Sequence, residues 1–368
     1  MEQSSPGAPL SYAVTRNPAP ASDAERARRM DSQPFGTVWS DHLAKATWTA
    51  EDGWGDRRIE PFADLVLHPG ATVLHYGQQV FEGLKAYRWA DGGIHLFRPE
   101  ANAARLAASA TRMALPPLPQ EDFLASIEAL LSVDAAWVPA EDETSLYLRP
   151  LLIGTEACLG VRPSQTVEYL LMASPVGAYF PHGVKPVSIW VAQGFHRAGA
   201  GGTGQAKTAG NYAASMLPQQ QAADHGCDQV LFLDAIHDAY VEELGGMNVF
   251  AVRRDGSVWT PRVTGTILEG VTRDSVLELL RGDGRDVIER DIPLAELRDG
   301  IESGAVTELF ACGTAAVVTP IGRLVAPEMD LVVGDGGAGA LTQNIRGRLT
   351  DIQYGRAPDA HGWMQRVV

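Results

Sequence analysis

Between Arg197 and Asp224 the chain carries one lysine and no acid; the stretch from residue 202 to 215 reads GTGQAKTAGNYAAS. A solvated surface lysine is the ordinary reading of Lys207. The chain, however, has a net charge of −15, and leaving one amine without a neighbouring carboxylate in sequence invites a chemical reading. An amine taken out of water loses basicity, and an uncharged amine can condense with a carbonyl to form a Schiff base.

If that carbonyl belongs to a pyridoxal cofactor, three further groups are required: an acid facing the ring nitrogen, a hydroxyl beside the phenolic oxygen, and turns that bind a phosphate. AYVEELGGMNVF offers the acid. Glu242 and Glu243 are adjacent in a strand and so point to opposite faces, and the two glycines soon after Glu243 let another group approach the backbone. A buried carboxylate there needs a cationic partner, whereas a solvated glutamate at a hairpin end needs none. Tyr212, five residues after Lys207, can supply the hydroxyl. In EGVTRDSVLELL, Gly270, Val271 and Thr272 open a helix whose free N–H groups favour an anion, although Thr272 can equally be a plain cap. FACGTAAVVTP gives a second such turn at Gly313 and Thr314. Arg98, Arg105 and Arg112 recur every seven residues, and Arg105, with Ala104 and Ala107 close on either side, has room for a ligand.

Other chemistries fit poorly. The three cysteines, Cys158, Cys227 and Cys312, form no C-x-x-C, and the nine histidines form no H-E-x-x-H, so neither a disulfide framework nor a metal site is expected. A chain with pI near 5.0 is not drawn to nucleic acid or an anionic membrane. The N-terminus lacks an apolar core of signal-peptide length. The longest apolar run, YLLMASPVGAYF, is too short to span a bilayer, so a cytoplasmic protein is expected. GDGGAG, Gly334–Gly339, satisfies G-x-G-x-x-G, but too little chain follows for a second strand bearing the ribose-binding acid. It reads as a flexible connection.

At 368 residues, two α+β domains are expected. Residues 1–30 read as a loose arm and 31–174 as a small domain. Residues 175–186 read as an interdomain loop and 187–368 as a large cofactor-binding domain. In the small domain, short β runs are expected over ADLVLHPGATVLHYG and in GLKAYRWADGGIHLFR, where DGG signals a hairpin. A helix starts at Pro99. A second, EDFLASIEALLSVDAAWV, has Phe123, Ile127, Leu130 and Leu131 on one face. SLYLRPLLIGTE and TVEYLLMASPV are strands. In the large domain, strands such as VSIWVA, DQVLFLDA and MNVFAVRR alternate with three helical patterns, NYAASMLPQQQAADHG (residues 211–226), TRDSVLELLRG and LTQNIRGRLTDIQYG.

Taken in order, LHYGQQVFEGLKAYR, SLYLRPLLIGTE, GQAKTAGNYAAS, EELGGMNVF and ILEGVTRDSVLEL resemble the branched-chain amino acid aminotransferases. These are fold-type IV pyridoxal-phosphate enzymes, and the likeness spans nearly the whole chain. It implies a smaller N-terminal α/β sandwich domain and a larger domain with a mixed, barrel-like core. It implies pyridoxal 5'-phosphate as cofactor and ping-pong transfer of the amino group between leucine, isoleucine or valine and 2-oxoglutarate. Lys207 then resembles the Schiff-base lysine and proton shuttle, Glu243 the acid on the ring nitrogen, and Tyr212 the hydroxyl beside the phenolic oxygen. Arg105, Thr272 and Thr314 resemble phosphate ligands, assisted by the backbone near Val271.

Phe35, Tyr76, Phe81 and Tyr147 resemble the aromatic wall of the substrate pocket, and Arg149 the arginine that lets it accept glutamate. Thr314 and Ala315 correspond to the turn that binds the substrate α-carboxylate. Leu159 and Val161 resemble residues that reach a neighbouring subunit's site, which implies a homodimer with sites near the subunit interface. Three positions depart from relatives: Ala316 and Thr319 stand where some carry a C-x-x-C pair, and Gly246 where some carry threonine. A D-amino acid aminotransferase or an aminodeoxychorismate lyase is the nearest alternative within the class. A binding protein that kept only the fold is the distant one.

Overall fold

The structure is a computed structural model and describes residues 11–31, 35–177 and 184–368. The chain forms two compact units, Met1–Ala178 together with Gln353–Val368, and Tyr179–Ile352.

In the first unit one sheet runs in the order Ala13–Val14, Gly53–Pro61, His42–Thr49, Thr166–Val176, Ser145–Gly154, Leu84–Arg88, Ile94–Phe97, Met364–Arg366. Gln79–Phe81 pairs separately with Ser145–Gly154. The two long strands, Ser145–Gly154 and Thr166–Val176, pair antiparallel along their length and form the floor on which the shorter strands align. Helices Pro99–Arg112 and Gln120–Asp134 lay Leu106, Ala110, Phe123, Ile127, Leu130 and Leu131 on this sheet, all at most 1% exposed. Those apolar positions recur at helical spacing, which is why the segment folds as it does. The DGG hairpin forms as expected, with Gly92 at φ 84° and the Trp89 amide donating to Gly93 O.

Several expectations need correction. ADLVLHPGATVLHYG is not a strand: Val66 is 92% exposed, and Thr72–Tyr76 is a short helix closed by Gly77 in the left-handed region. Leu65, Val66 and Leu67 form an apolar run, but no strand pairs with it among the described residues, and Pro69–Gly70 turns the chain. Gly53–Pro61, rich in glycine and charge, is the strand instead. Residues 11–30 are not loose, since Tyr12 and Ala21 are buried and Asp23–Met30 is a helix capped by Ser22; residues 1–10 lie outside the described residues. Arg98 stands outside the helix as its N-cap at φ 49°, so it shares no helical face with Arg105. Of the expected interdomain loop, 178–183 lie outside the described residues, and Pro175 and Val176 end a strand. The C-terminal tail joins the first unit through Met364–Arg366 rather than staying with residues 187–352.

The second unit is built on a closed ring of six strands: Asn248–Arg253, Val306–Gly313, Val317–Ala326, Val187–Val191, Gln229–Leu233 and Tyr240–Leu244. The last returns to the first through the Glu243–Asn248 pairing. Alternate residues, Ile189 and Val191, Leu231 and Leu233, Val249 and Ala251, Leu309 and Ala311, meet in one cluster. Their neighbours Trp190, Val230 and Phe232 pack with Ala222 and Cys227 in another. Burial on both faces explains why these strands read as continuous apolar runs. The expected helix over residues 211–226 is two, Ala209–Ala213 and Met216–Asp224.

The GDGGAG segment leads into the helix Ala340–Gln353, whose first turn is filled from within. Glu308 accepts from Leu341 N at 3.1 Å, Thr342 N at 2.9 Å and Thr342 Oγ1 at 2.7 Å. A Cβ at Gly339 would run into this carboxylate, which accounts for the glycine.

Candidate active site

Lys207 follows an irregular, glycine-rich segment that side chains hold in place. Asn211 Nδ2 donates to Thr203 O and Ala206 O, both at 2.8 Å, and its Oδ1 accepts from Thr203 Oγ1 at 2.7 Å. Gly204 lies against the Thr266 backbone so closely that no Cβ fits. Lys207 is half-buried at the end of this segment, one residue before the N-cap Thr208 of the Ala209–Ala213 helix. That helix brings Tyr212 back over it, and Lys207 Nζ donates to Tyr212 Oη at 2.8 Å. The amine and the hydroxyl expected from sequence are therefore adjacent.

Glu243 is 3% exposed. The reading of a solvated hairpin glutamate is overturned, and a partner absent from the sequence reading explains how the charge is tolerated. Arg197 Nη2 lies 2.5 Å from Glu243 Oε1, with both side chains buried. The same nitrogen donates to Thr266 O and Gly204 O at 2.6 and 2.7 Å. Leu268 N also donates to Glu243 Oε1, at 2.9 Å. Among the described residues Glu243 Oε2 has only Asn248 Nδ2, at 3.4 Å. Burial pushes the Glu243 carboxyl up to about 7, and the Arg197 guanidinium pulls against this without restoring the ordinary range. Such a carboxylate has charge to spare for a second cation. Glu242 is also buried, accepts from Thr266 Oγ1, and is raised by burial.

Two turns in this unit can hold an anion. Gly270 caps the helix Val271–Gly282 in an extended conformation with no side-chain cap, and Thr272 is 6% exposed in the first turn. Free N–H groups at such a start attract negative charge. The second turn, Gly313–Ala316, follows the strand Val306–Gly313; Thr314 and Ala315 are half-buried. It ends on Val317 at φ 60°, a left-handed conformation that is costly for a β-branched residue.

The first unit carries the remaining candidates. Arg105 Nε and Nη2 donate to Glu82 Oε1 and Oε2 at 2.7 and 2.9 Å. Glu82 is 0% exposed and also accepts from Asn102 Nδ2 at 2.8 Å and Gly83 N at 3.1 Å. This fork fixes the direction of the guanidinium. Phe35, Phe81, Tyr147 and Arg149 come together. The Phe35 and Tyr147 rings meet edge-on at 4.9 Å, and Arg149 Cζ lies 4.9 Å from the Phe81 ring and 5.2 Å from that of Tyr147. Arg149 Nη2 donates to Tyr147 Oη at 3.2 Å, while its buried Nε has no partner among the described residues. Gly83 leaves the space that Tyr147 Oη fills. Tyr76 donates to Leu159 O, and Leu159 and Val161 are 69% and 86% exposed.

Three residues of these networks were missed from sequence: Glu82, Arg197 and Asn248. Each had a signal. Glu82 is an acid inside the apolar run VFEGL, and Asn248 an amide opening the buried strand NVFAV; both demand partners. Arg197 lies ten residues before Lys207 with no acid between them, so its partner had to be distant.

Among the described residues no group of His, Cys, Asp and Glu is arranged to hold a metal, and no helix is long and apolar enough to cross a membrane. A closed six-strand barrel carrying a lysine–tyrosine pair, a buried acid and two anion turns defines a class. Residues 79–324 match the model of amino-transferase class IV, and the chain belongs to that family. A particular group within it is close: the branched-chain-amino-acid aminotransferase of Mycolicibacterium smegmatis is 50% identical over 363 residues, 98% of this chain and 99% of that one. Among solved structures, the branched-chain amino acid aminotransferase of Escherichia coli is 28% identical. It superposes with a TM-score of 0.73 over 88% of this chain and 100% of its own. The branched-chain amino acid aminotransferase of Thermobaculum terrenum, solved in its PLP form, is 25% identical and gives a TM-score of 0.71 over 89% of this chain and 98% of its own.

Proposed function

We propose that the protein is a pyridoxal-phosphate-dependent aminotransferase. It moves the amino group between branched-chain L-amino acids (leucine, isoleucine, valine) and 2-oxoglutarate in two alternating half-reactions. The observation that carries this reading is the set held in the second unit: Lys207 on Tyr212 at 2.8 Å, and Glu243 buried against Arg197 at 2.5 Å.

The residues fit the cofactor. Glu243, raised toward neutrality by burial, is suited to a protonated ring nitrogen, which returns it to the ionised form. The uncapped start of Val271–Gly282 suits a phosphate, with Val271, Thr272, Thr314 and Arg105 as its ligands. Bound there, pyridoxal phosphate supplies a carbonyl for Lys207 and a ring that takes up the electrons released when the substrate α-C–H bond breaks. With the cofactor bound, Lys207 Nζ would take the substrate α-proton and deliver it to C4′ of the cofactor, the carbon on the other side of the transferred nitrogen. Tyr212 Oη accepts from that amine and holds it in place between the two positions. Glu243 keeps the ring nitrogen protonated, and Arg197 holds Glu243 in place and favours its charged form.

Phe35, Tyr76, Phe81 and Tyr147 form the apolar wall for the aliphatic side chain, and Arg149 meets the side-chain carboxylate of glutamate in the other half-reaction. Thr314 and Ala315 hold the α-carboxylate. The working form is a cytoplasmic homodimer with sites near the subunit interface. Leu159 and Val161 are exposed apolar residues suited to being covered by a second copy, and the three free cysteines suit a reducing compartment. Lys207→Ala is expected to abolish turnover of L-leucine with 2-oxoglutarate, and D-leucine should give none with the wild type. Normal turnover by Lys207→Ala would contradict the assignment.

A further inference from the structure

The segment from Arg262 to Gly270 has no strand or helix of its own, yet it must place the start of Val271–Gly282. Backbone outside a ladder needs other partners for its N–H and C=O groups. At Leu268 both come from the neighbouring hairpin. Glu243 Oε1 accepts Leu268 N at 2.9 Å, and Asn248 Nδ2 donates to Leu268 O at 3.0 Å. The same Nδ2 lies 3.4 Å from Glu243 Oε2. At Gly270 the contact is steric, because a Cβ there would run into Asn248 Oδ1.

Asn248 also sits at the crossing of three strands. It pairs with Glu243 on one side and with Cys312 on the other, one residue before the Gly313–Thr314 turn. A single buried amide, 6% exposed, thus touches the acid, the loop behind the helix start and the row that ends in the second anion turn.

The geometry points to Asn248 as a positioning residue that couples the acid of the ring nitrogen to the turn that binds the phosphate. This rests on the pyridoxal-phosphate reading above and extends it. Glu243 Oε1 already takes Arg197 and Leu268 N, which leaves Oε2 for the ring nitrogen, and Asn248 is the group that steers Oε2. Asn248 touches neither substrate nor reacting atoms in this account. It sets the distance between two binding ends.

The test compares pyridoxal phosphate with pyridoxal, which lacks the phosphate. Affinities are read from visible absorbance and tryptophan fluorescence of the full-length protein. The ratio of the two dissociation constants reports what the phosphate end contributes. In Asn248→Ala this ratio should fall about tenfold, the weight of one buried hydrogen bond. Asn248→Asp keeps the shape but removes the donor to Leu268 O, and should lower the ratio as well if the alanine variant folds poorly. Thr272→Ala should lower it too, and Asn248→Ala with Thr272→Ala should lower it by less than the product of the single effects. An unchanged ratio in both Asn248 variants, with only a lower melting temperature, would overturn the proposal and leave Asn248 a packing residue. Failure of the wild type to bind pyridoxal phosphate at all would instead overturn the reading on which it rests.

Discussion

Two helices of the second unit begin after glycine, and their first turns have opposite fates. At Ala340–Gln353 the first turn receives Glu308, whose carboxylate takes two backbone N–H groups and the Thr342 hydroxyl. At Val271–Gly282 the cap is Gly270 and no side chain caps the turn. The first helix start follows the more familiar glycine pattern, yet its anion is built into the fold. The second follows a plain Gly-Val-Thr, and its N–H groups are, on the reading proposed above, the ones that meet the phosphate. A glycine-rich sequence marks where backbone can approach closely; whether the approaching group is foreign depends on an acid elsewhere in the chain.

The contrast can be broken by three substitutions, of decreasing effect, and sharpened by a change of pH. Gly270→Ala puts a methyl group against Asn248 and should weaken pyridoxal-phosphate binding about a hundredfold, as overpacking a tight contact does. An unchanged dissociation constant would mean that this start does not receive the phosphate. Glu308→Ala uncaps the other helix and should cost about 2 kcal/mol in urea unfolding while leaving cofactor affinity unaltered. A loss of affinity there would erase the distinction between the two helix starts.

Thr272→Ala should weaken cofactor binding about tenfold and leave unfolding within about 0.5 kcal/mol of wild type once the cofactor is removed. The remaining test is a change of pH. Because the folded-state value of Glu243 is raised to about 7 from 4.5, its stabilising contribution is complete below the lower value and is lost as pH rises through the higher. The cofactor-free protein should therefore melt a few degrees lower at about pH 8 than at about pH 5, and Glu243→Gln should lose much of that difference. Identical pH profiles for the two proteins would show that Glu243 is not the source.

How much of this was legible follows from the same contrast. Local signals held where one segment decides its own state. Helix Gln120–Asp134 has its apolar face at helical spacing, and the long strands Ser145–Gly154 and Thr166–Val176 are apolar almost throughout. They failed where a partner decides. Gly53–Pro61 is a strand because His42–Thr49 pairs with it, despite its composition, and residues 63–70 have an apolar run but no strand partner among the described residues. Of the candidate site, Lys207, Tyr212 and Glu243 stood out because each is an unusual residue in its own surroundings. Arg197, Glu82 and Asn248 did not, because their meaning lies in contacts across 46, 23 and 20 residues, with Glu243, Arg105 and Leu268 respectively. Side chains that touch a ligand can announce themselves in sequence; for those that hold them in place the sequence marks a need for a partner, and the fold names it.

The central claim is that Lys207 and its surroundings carry both halves of an amino-group exchange. The most direct measurement is the visible spectrum of the purified, cofactor-loaded protein, recorded alone, after adding L-leucine, and again after adding 2-oxoglutarate. The account predicts a yellow band that fades with L-leucine and returns with 2-oxoglutarate, and that never forms in the same way in Lys207→Ala. A loaded protein whose spectrum ignores L-leucine would contradict it.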